Sequence, residues 1–295
     1  MRIIYSIFYS YYHVYMYMDN QCYRINTIHF KECLFDNIDA TYVLIMENSS
    51  YEDDVKNQLN KYKPTSNVHI QYNKGFKKCE KYYCGNKKKI TKTYQDLAHA
   101  YINAFKDAKK NGYKQVLILE EDFIFSSDFN NSVHIKTIDN FLPSMTRNKY
   151  MLSLGCAPIM TIKHTTEIRK CILSLGTHAI IYPDTLYTEI IQECNSIEDI
   201  DMYLNTKKKY MLHKPLVYQI YNETENRANW GEQFGYIVRL INTFFSSIIL
   251  AFLELDTKEE PGTSTLYKCN VYLYDFIFPL LFFILFLHII NTMYS

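Results

Sequence analysis

Net charge is almost absent: 32 Lys and Arg stand against 31 Asp and Glu, leaving +1 and a sequence pI of about 7.6. No global field draws the chain to a polyanion, so a nucleic-acid partner is not expected. The short runs Lys87-Lys88-Lys89 and Lys207-Lys208-Lys209 read as solvated loop or helix ends. A second cysteine pair is missing too. Only Cys79 and Cys84 lie close together among the eight cysteines, and Cys-x4-Cys alone is a poor zinc signal. A chain this size needs no dense disulfide framework, so reduced thiols in a cytosolic compartment are expected, with one local bridge as the alternative. There is no internal repeat and no Pro- or Ser-rich linker. One catalytic domain is therefore the simplest division of 295 residues. Glycine is scarce at 8 residues and Trp230 is the sole tryptophan, while tyrosine reaches 28. Abundant Tyr, Asn, Ile and Lys together read as a coding bias and say little about mechanism.

The first twenty residues are apolar and aromatic, but they lack a Leu-rich centre and a small-residue cleavage site. Residues 1–39 therefore read as an N-terminal extension, with an uncleaved signal anchor as the alternative. Asn48-Ser49-Ser50, Asn130-Asn131-Ser132 and Asn222-Glu223-Thr224 fit the N-glycosylation pattern, yet such triplets arise by chance in Asn-rich sequence.

The globular pattern starts near residue 40. Ala40–Met46 is a β-branched apolar run suited to a buried parallel strand, and 68–72 alternates as a second strand. Helical spacing marks 51–62 and 92–110, the latter through Leu97, Ala98, Tyr101, Ile102, Phe105 and Ala108. Gln115–Leu119 is the clearest strand. Further strands are predicted at 150–154, 178–182 and 216–220, with helices near 133–141, 164–173, 184–194 and 197–206. Strands alternating with helices predict an α/β fold with a mostly parallel sheet covered on both faces.

Residues 40–234 thus form the expected catalytic domain, followed by a membrane-proximal segment at 235–270 that includes the apolar run Leu240–Leu253. The stretch 271–290, VYLYDFIFPLLFFILFLHII, is long enough to cross a bilayer and predicts a single-pass C-terminal hydrophobic helix. A tail anchor of this kind would leave the catalytic domain in the cytoplasm, whereas an N-terminal anchor would place it in a lumen. Flanking charge is too sparse for the positive-inside rule to choose.

Chemistry concentrates where the strand 115–119 runs into Glu120-Glu121-Asp122. Ligands of open α/β sheets bind at the carboxyl ends of strands. Carboxylates there can hold Mn²⁺ or Mg²⁺, with water and phosphate completing the shell. Two residues apart in an extended segment, Glu120 and Asp122 would share a face, with Glu121 turned toward the scaffold or a neighbouring loop. An acidic-x-acidic pair alone is weak evidence, since such pairs also cap helices or sit in solvent. A metal-dependent phosphohydrolase competes, but its sites gather more His and Asp ligands from several strands, and no second dense cluster is present.

Several stretches add to this. Leu117–Phe123 resembles the LEDD-type motif of glycosyltransferase family 25, the lipopolysaccharide and procollagen galactosyltransferase-like group, and is most similar to its members in large DNA viruses. Gly176–Tyr182, Ile200–Leu204, Pro215–Gln219 and Thr224–Arg227 resemble later motifs of that family in the same order, over about residues 40 to 231. LEED replaces LEDD, and the family's Ser-His is represented by Ala98-His99.

The resemblance implies a GT-A type, Rossmann-like fold and a nucleotide-sugar donor, UDP-linked, whose sugar passes with inversion to a glycan, lipid or protein hydroxyl. Inversion needs a general base. Asp201 is the first candidate and Asp199 the second, the alternative for Asp199 being a helix N-terminus. His213 is a candidate third metal ligand, although a lone His before Pro is more often a packed or exposed loop residue. Gln219 and Arg227 are candidates for acceptor or phosphate contact, the latter through bidentate hydrogen bonding. His99 and Trp230 read at least as well as structural residues. A catalytically inactive, membrane-bound sugar-binding or scaffold relative is the alternative function.

Overall fold

The computed structural model describes residues 21–83, 88–220 and 261–294. In chain order its elements are β1 (Tyr23–His29), β2 (Ala40–Met46), α1 (Glu52–Tyr62), β3 (Asn67–Asn73), α2 (Thr93–Lys110), β4 (Gln115–Glu120), β5 (Phe123–Phe125), α3 (Ser132–Asn148), β6 (Met151–Lys163), β7 (Ile168–Pro183), α4 (Asp184–Gln192), α5 (Ile200–Leu204), β8 (Lys209–Leu212), β9 (Val217–Gln219), α6 (Pro261–Tyr272), a π-helical turn (Leu273–Ile277) and α7 (Phe278–Tyr294). They form two compact units, residues 1–121 with 182–203 and residues 122–181 with 204–295.

The first unit is α/β, with parallel strands β3, β2 and β4 at its centre. All but the last residue of β2 and of β4 is buried, as strands covered on both faces require. Helix α2 lays its predicted stripe into this core: Ala98, Tyr101, Ile102, Phe105 and Ala108 are all buried. Phe105 stacks on Tyr187 of α4 with centroids 5.7 Å apart and meets Tyr182 edge-on at 5.0 Å. Antiparallel on β3 lies β1, from the segment expected to be an extension. Its pairing brings Cys22 to the loop after β3, where it forms a disulfide with Cys79 across 57 residues. Reduced thiols were the expectation. Sequence adjacency drew attention to Cys79 and Cys84, whereas the sheet supplies a distant partner. Beside the bridge, buried Lys81 bonds Asn73 and Asp96, and His99 Nδ1 pairs with Tyr23 Oη at 2.8 Å. His99 is thus held in the core beside the bridge.

In the second unit the long strands β6 and β7 pair antiparallel, β8 adds in parallel to β6, and β5 pairs with β9. The helix predicted at 164–173 is instead the turn of this hairpin and the start of β7. Thr165 Oγ1 accepts from the N–H groups of Glu167 and Ile168, the local bonding by which threonine favours turns. Arg169 and Cys171 then point inward while Lys170 and Ile172 point out, a period of two.

The expected C-terminal apolar helix is present. Its root docks on the hairpin through polar groups: Tyr267 Oη accepts from Cys156 N at 3.2 Å, and Asn270 Nδ2 donates to Ile159 O at 3.1 Å. Arg169 forks onto Asp275 with two bonds of 2.7 Å. Beyond Asp275 the apolar side chains from Phe276 to Phe286 are exposed. The stretch Thr265–Phe286 is long and apolar enough to cross a membrane. Residues 1–20, the run Leu240–Leu253 and the triplet at 222–224 lie outside the described residues.

Candidate active site

Strand β4 carries its apolar run to a polar tip. Gln115 to Leu119 are buried, and Glu120 emerges half-buried at the carboxyl end. Its Oε1 accepts a hydrogen bond of 2.9 Å from the phenol of Tyr101, whose ring is buried on α2. Glu121 turns away as expected, its Oε2 accepting from the N–H of Met46 at the end of β2 at 2.9 Å. The chain turns over Glu121 and Asp122 and does not stay extended.

Within the same unit, Tyr182 is fully buried near the end of β7. Its phenol is pushed well above the ordinary range, first by burial and then by the carboxylates of Glu120 and Asp201. The charges of two candidates far apart in sequence, one at a strand tip and one in the first turn of α5, thus both disfavour ionisation of this one buried hydroxyl. That hydroxyl has no hydrogen-bond partner among the described residues. A buried polar group left unsatisfied costs about 1–3 kcal/mol. Asp199 is used differently. Its Oδ1 accepts from the N–H of Met202 at 3.2 Å, the helix-start role expected as its alternative.

In the second unit, Asp122 Oδ2 accepts from Gln219 Nε2 at 2.9 Å, and Asp122 O accepts from Ile220 N at 2.9 Å. The β5–β9 ladder sets this pairing by placing Phe123 opposite Gln219. Behind it lies His178, fully buried, with Nε2 3.4 Å from Val217 O. Burial drives the His178 imidazole down to about 4, opposed in part by Val217 and Gln219, so it is neutral near pH 7. Gly155 permits the close approach: a Cβ there would stand 1.9 Å from Val217 O and 2.6 Å from His178 Nε2.

His213 lies elsewhere in that unit, half-buried in a cavity with Glu167, Arg169 and Asp275. Burial and the neighbouring Arg169 charge lower its pKa. Among the described residues no group of three or more His, Cys, Asp or Glu side chains is placed to share a metal. The protein oxygens at the β4 tip suit a hard cation only if phosphate and water supply most of its shell, a mode common for Mg²⁺. Arg227 and Trp230 lie outside the described residues.

Sequence reasoning passed over Tyr101, Tyr182 and His178. Two of them sit in the stretch Gly176–Tyr182 already singled out, but nothing in sequence marked which of 28 tyrosines would be buried near these carboxylates.

No family model matches the chain. No curated protein matches it either. Solved structures that overlap it include A197 from STIV, at TM-score 0.39 and 11% identity over 62% of this chain and 86% of that one. Another is apo UDP-glucose pyrophosphorylase, at TM-score 0.33 and 12% identity over 59% and 72%. A third is mannose-1-phosphate geranyltransferase from Thermus thermophilus, at TM-score 0.34 and 9% identity over 58% and 73%. At these scores and identities the neighbours assign no function.

Proposed function

We propose that the chain is a metal-dependent, inverting glycosyltransferase that moves a sugar from a UDP-sugar to an acceptor hydroxyl. The observation that carries this reading is the polar tip of buried strand β4, where Glu120 emerges at the carboxyl end and is held by the phenol of Tyr101. An acid-lined strand tip offers a place for a cation, and Asp201 in the first turn of α5 is the proposed base.

Glu120 and Asp122, two residues apart along the chain, would hold Mn²⁺ or Mg²⁺, which when bound neutralises charge building on a diphosphate leaving group. Tyr101 and Gln219 each commit one donor to one of these carboxylates, fixing its rotamer without cancelling its charge. Asp201 takes the proton of the acceptor hydroxyl as it attacks. Arg227 is assigned a phosphate contact on the family resemblance alone. Asp199 starts α5, and His213 takes no part.

The apolar helix anchors the chain in a membrane. The Cys22–Cys79 disulfide belongs in an oxidising compartment and weighs against the cytoplasmic placement expected from the tail alone.

The test is UDP release by the purified full chain with Mn²⁺ across a panel of UDP-sugars. Asp122→Ala should abolish turnover, and Asp201→Asn should lower kcat by about 10²- to 10⁴-fold. Undiminished activity in either variant refutes the assignment. Donor binding without metal dependence or turnover would favour the sugar-binding scaffold.

A further inference from the structure

A cavity of about 320 Å³ in the second unit opens at the root of the apolar helix. Its wall carries Lys163, Lys214, His134 and His213, together with the Arg169–Asp275 pair and Glu167. Arg169 and Asp275 satisfy one another through their two 2.7 Å bonds. Two lysines then face one carboxylate. Both lysines are exposed, and neither forms an ion pair among the described residues. The arrangement has surplus positive charge, two imidazoles able to donate, and room for a phosphate-sized group.

Its position is as informative as its charge. Asp275 lies one residue before the exposed apolar run that begins at Phe276. From Phe276 to Tyr294 the chain stays helical, and at 1.5 Å per residue it spans roughly 28 Å, close to the hydrocarbon thickness of a bilayer. Helix α6, by contrast, buries Tyr267 and Asn270 against β6 and is committed to protein. The clamp between Arg169 and Asp275 therefore fixes the cavity at the level where a membrane-crossing helix would leave the hydrocarbon. Adjacent to Lys163 in sequence, Ile162 is exposed, as are Ile159 and Met160 on the same strand. Basic side chains interleaved with exposed apolar ones at the foot of a spanning helix suit the headgroup layer.

We propose that this cavity binds the phosphate of an anionic membrane lipid, with Lys163 and Lys214 as its principal contacts. The proposal rests on the reading of the C-terminal helix as a bilayer anchor and is independent of the sugar-transfer site.

The experiment titrates the full chain in detergent micelles with dioctanoyl phosphatidic acid, dioctanoyl phosphatidylcholine or inorganic phosphate, counting bound molecules by native mass spectrometry. Phosphatidic acid should be retained at least about tenfold more strongly than phosphatidylcholine. The double variant Lys163→Gln, Lys214→Gln should weaken phosphatidic acid by about thirtyfold, from two cations of lipid attraction, and leave phosphatidylcholine unchanged. Equal retention of the two lipids, or indifference to the double variant, overturns the proposal. Inorganic phosphate binding as tightly as phosphatidic acid overturns its lipid part and leaves a soluble-anion site. If the anchor reading itself is wrong, the wild-type chain will be released from membranes by alkaline carbonate, a separate result. UDP release by the double variant should equal that of the wild type.

Discussion

The phenol of Tyr101 donates a 2.9 Å hydrogen bond to Glu120 Oε1, so a helix facing the sheet holds the side chain at the tip of its central strand. Because Tyr101 is buried, its hydroxyl reaches this carboxylate from inside the fold. Tyr101→Phe keeps the ring and removes only the donor. Under the proposed function, the Mn²⁺ concentration for half-maximal UDP release should rise about fivefold, with stability reduced by about 1 kcal/mol. A metal titration on the folded variant checks this, and an unchanged midpoint would remove Tyr101 from the site.

His178 predicts a pH dependence of stability. Its imidazole titrates at about 4 when folded, against an ordinary 6.5, because burial penalises its charged form. Between those values the unfolded chain binds a proton that the folded chain refuses. Stability from this group is complete above about pH 6.5 and falls as pH drops toward 4, by roughly 3 kcal/mol in all. Urea midpoints for wild type and His178→Gln across this range should diverge in slope. Parallel curves would mean that the imidazole titrates normally.

Two glycines should respond to alanine in opposite degree. At Gly155 the new Cβ would meet backbone oxygen of Val217 at 1.9 Å, so Gly155→Ala should cost about 3 kcal/mol or more and disturb the β5–β9 ladder. At Gly112 nothing lies within 4 Å, but φ is +74°, so Gly112→Ala should cost only about 1 kcal/mol. Thermal melts of the two variants decide the order.

The disulfide predicts a measurable loss on its removal. Linking positions 57 residues apart restricts the unfolded chain, and a double Cys22→Ser, Cys79→Ser variant should lose about 4 kcal/mol. Intact mass before and after reduction and alkylation of the denatured wild type should reveal two fewer free thiols before reduction. Full alkylation without reduction would show that the bridge does not form.

The sequence alone was enough for the elements whose pattern is local. Strand β2 came out at Ala40–Met46, helix α2 within a residue of its ends, and the acidic tip of β4 at the end of its apolar run, because burial on both faces or along one stripe leaves a direct imprint on residue order. The exposed apolar C-terminal helix was legible for the same reason. The stretch 164–173 was not. Its apolar residues fit either period, and only pairing with β6 decided for a strand.

Everything that depends on distant partners belonged to the tertiary structure. The bond from Tyr101 to Glu120, the bridge from Cys22 to Cys79, and the clamp of Arg169 on Asp275 join residues on different elements, the last two pairs 57 and 106 positions apart. No local period encodes such meetings. They arise when apolar faces pack and carry their polar neighbours into low-dielectric surroundings, where each must find a counterpart.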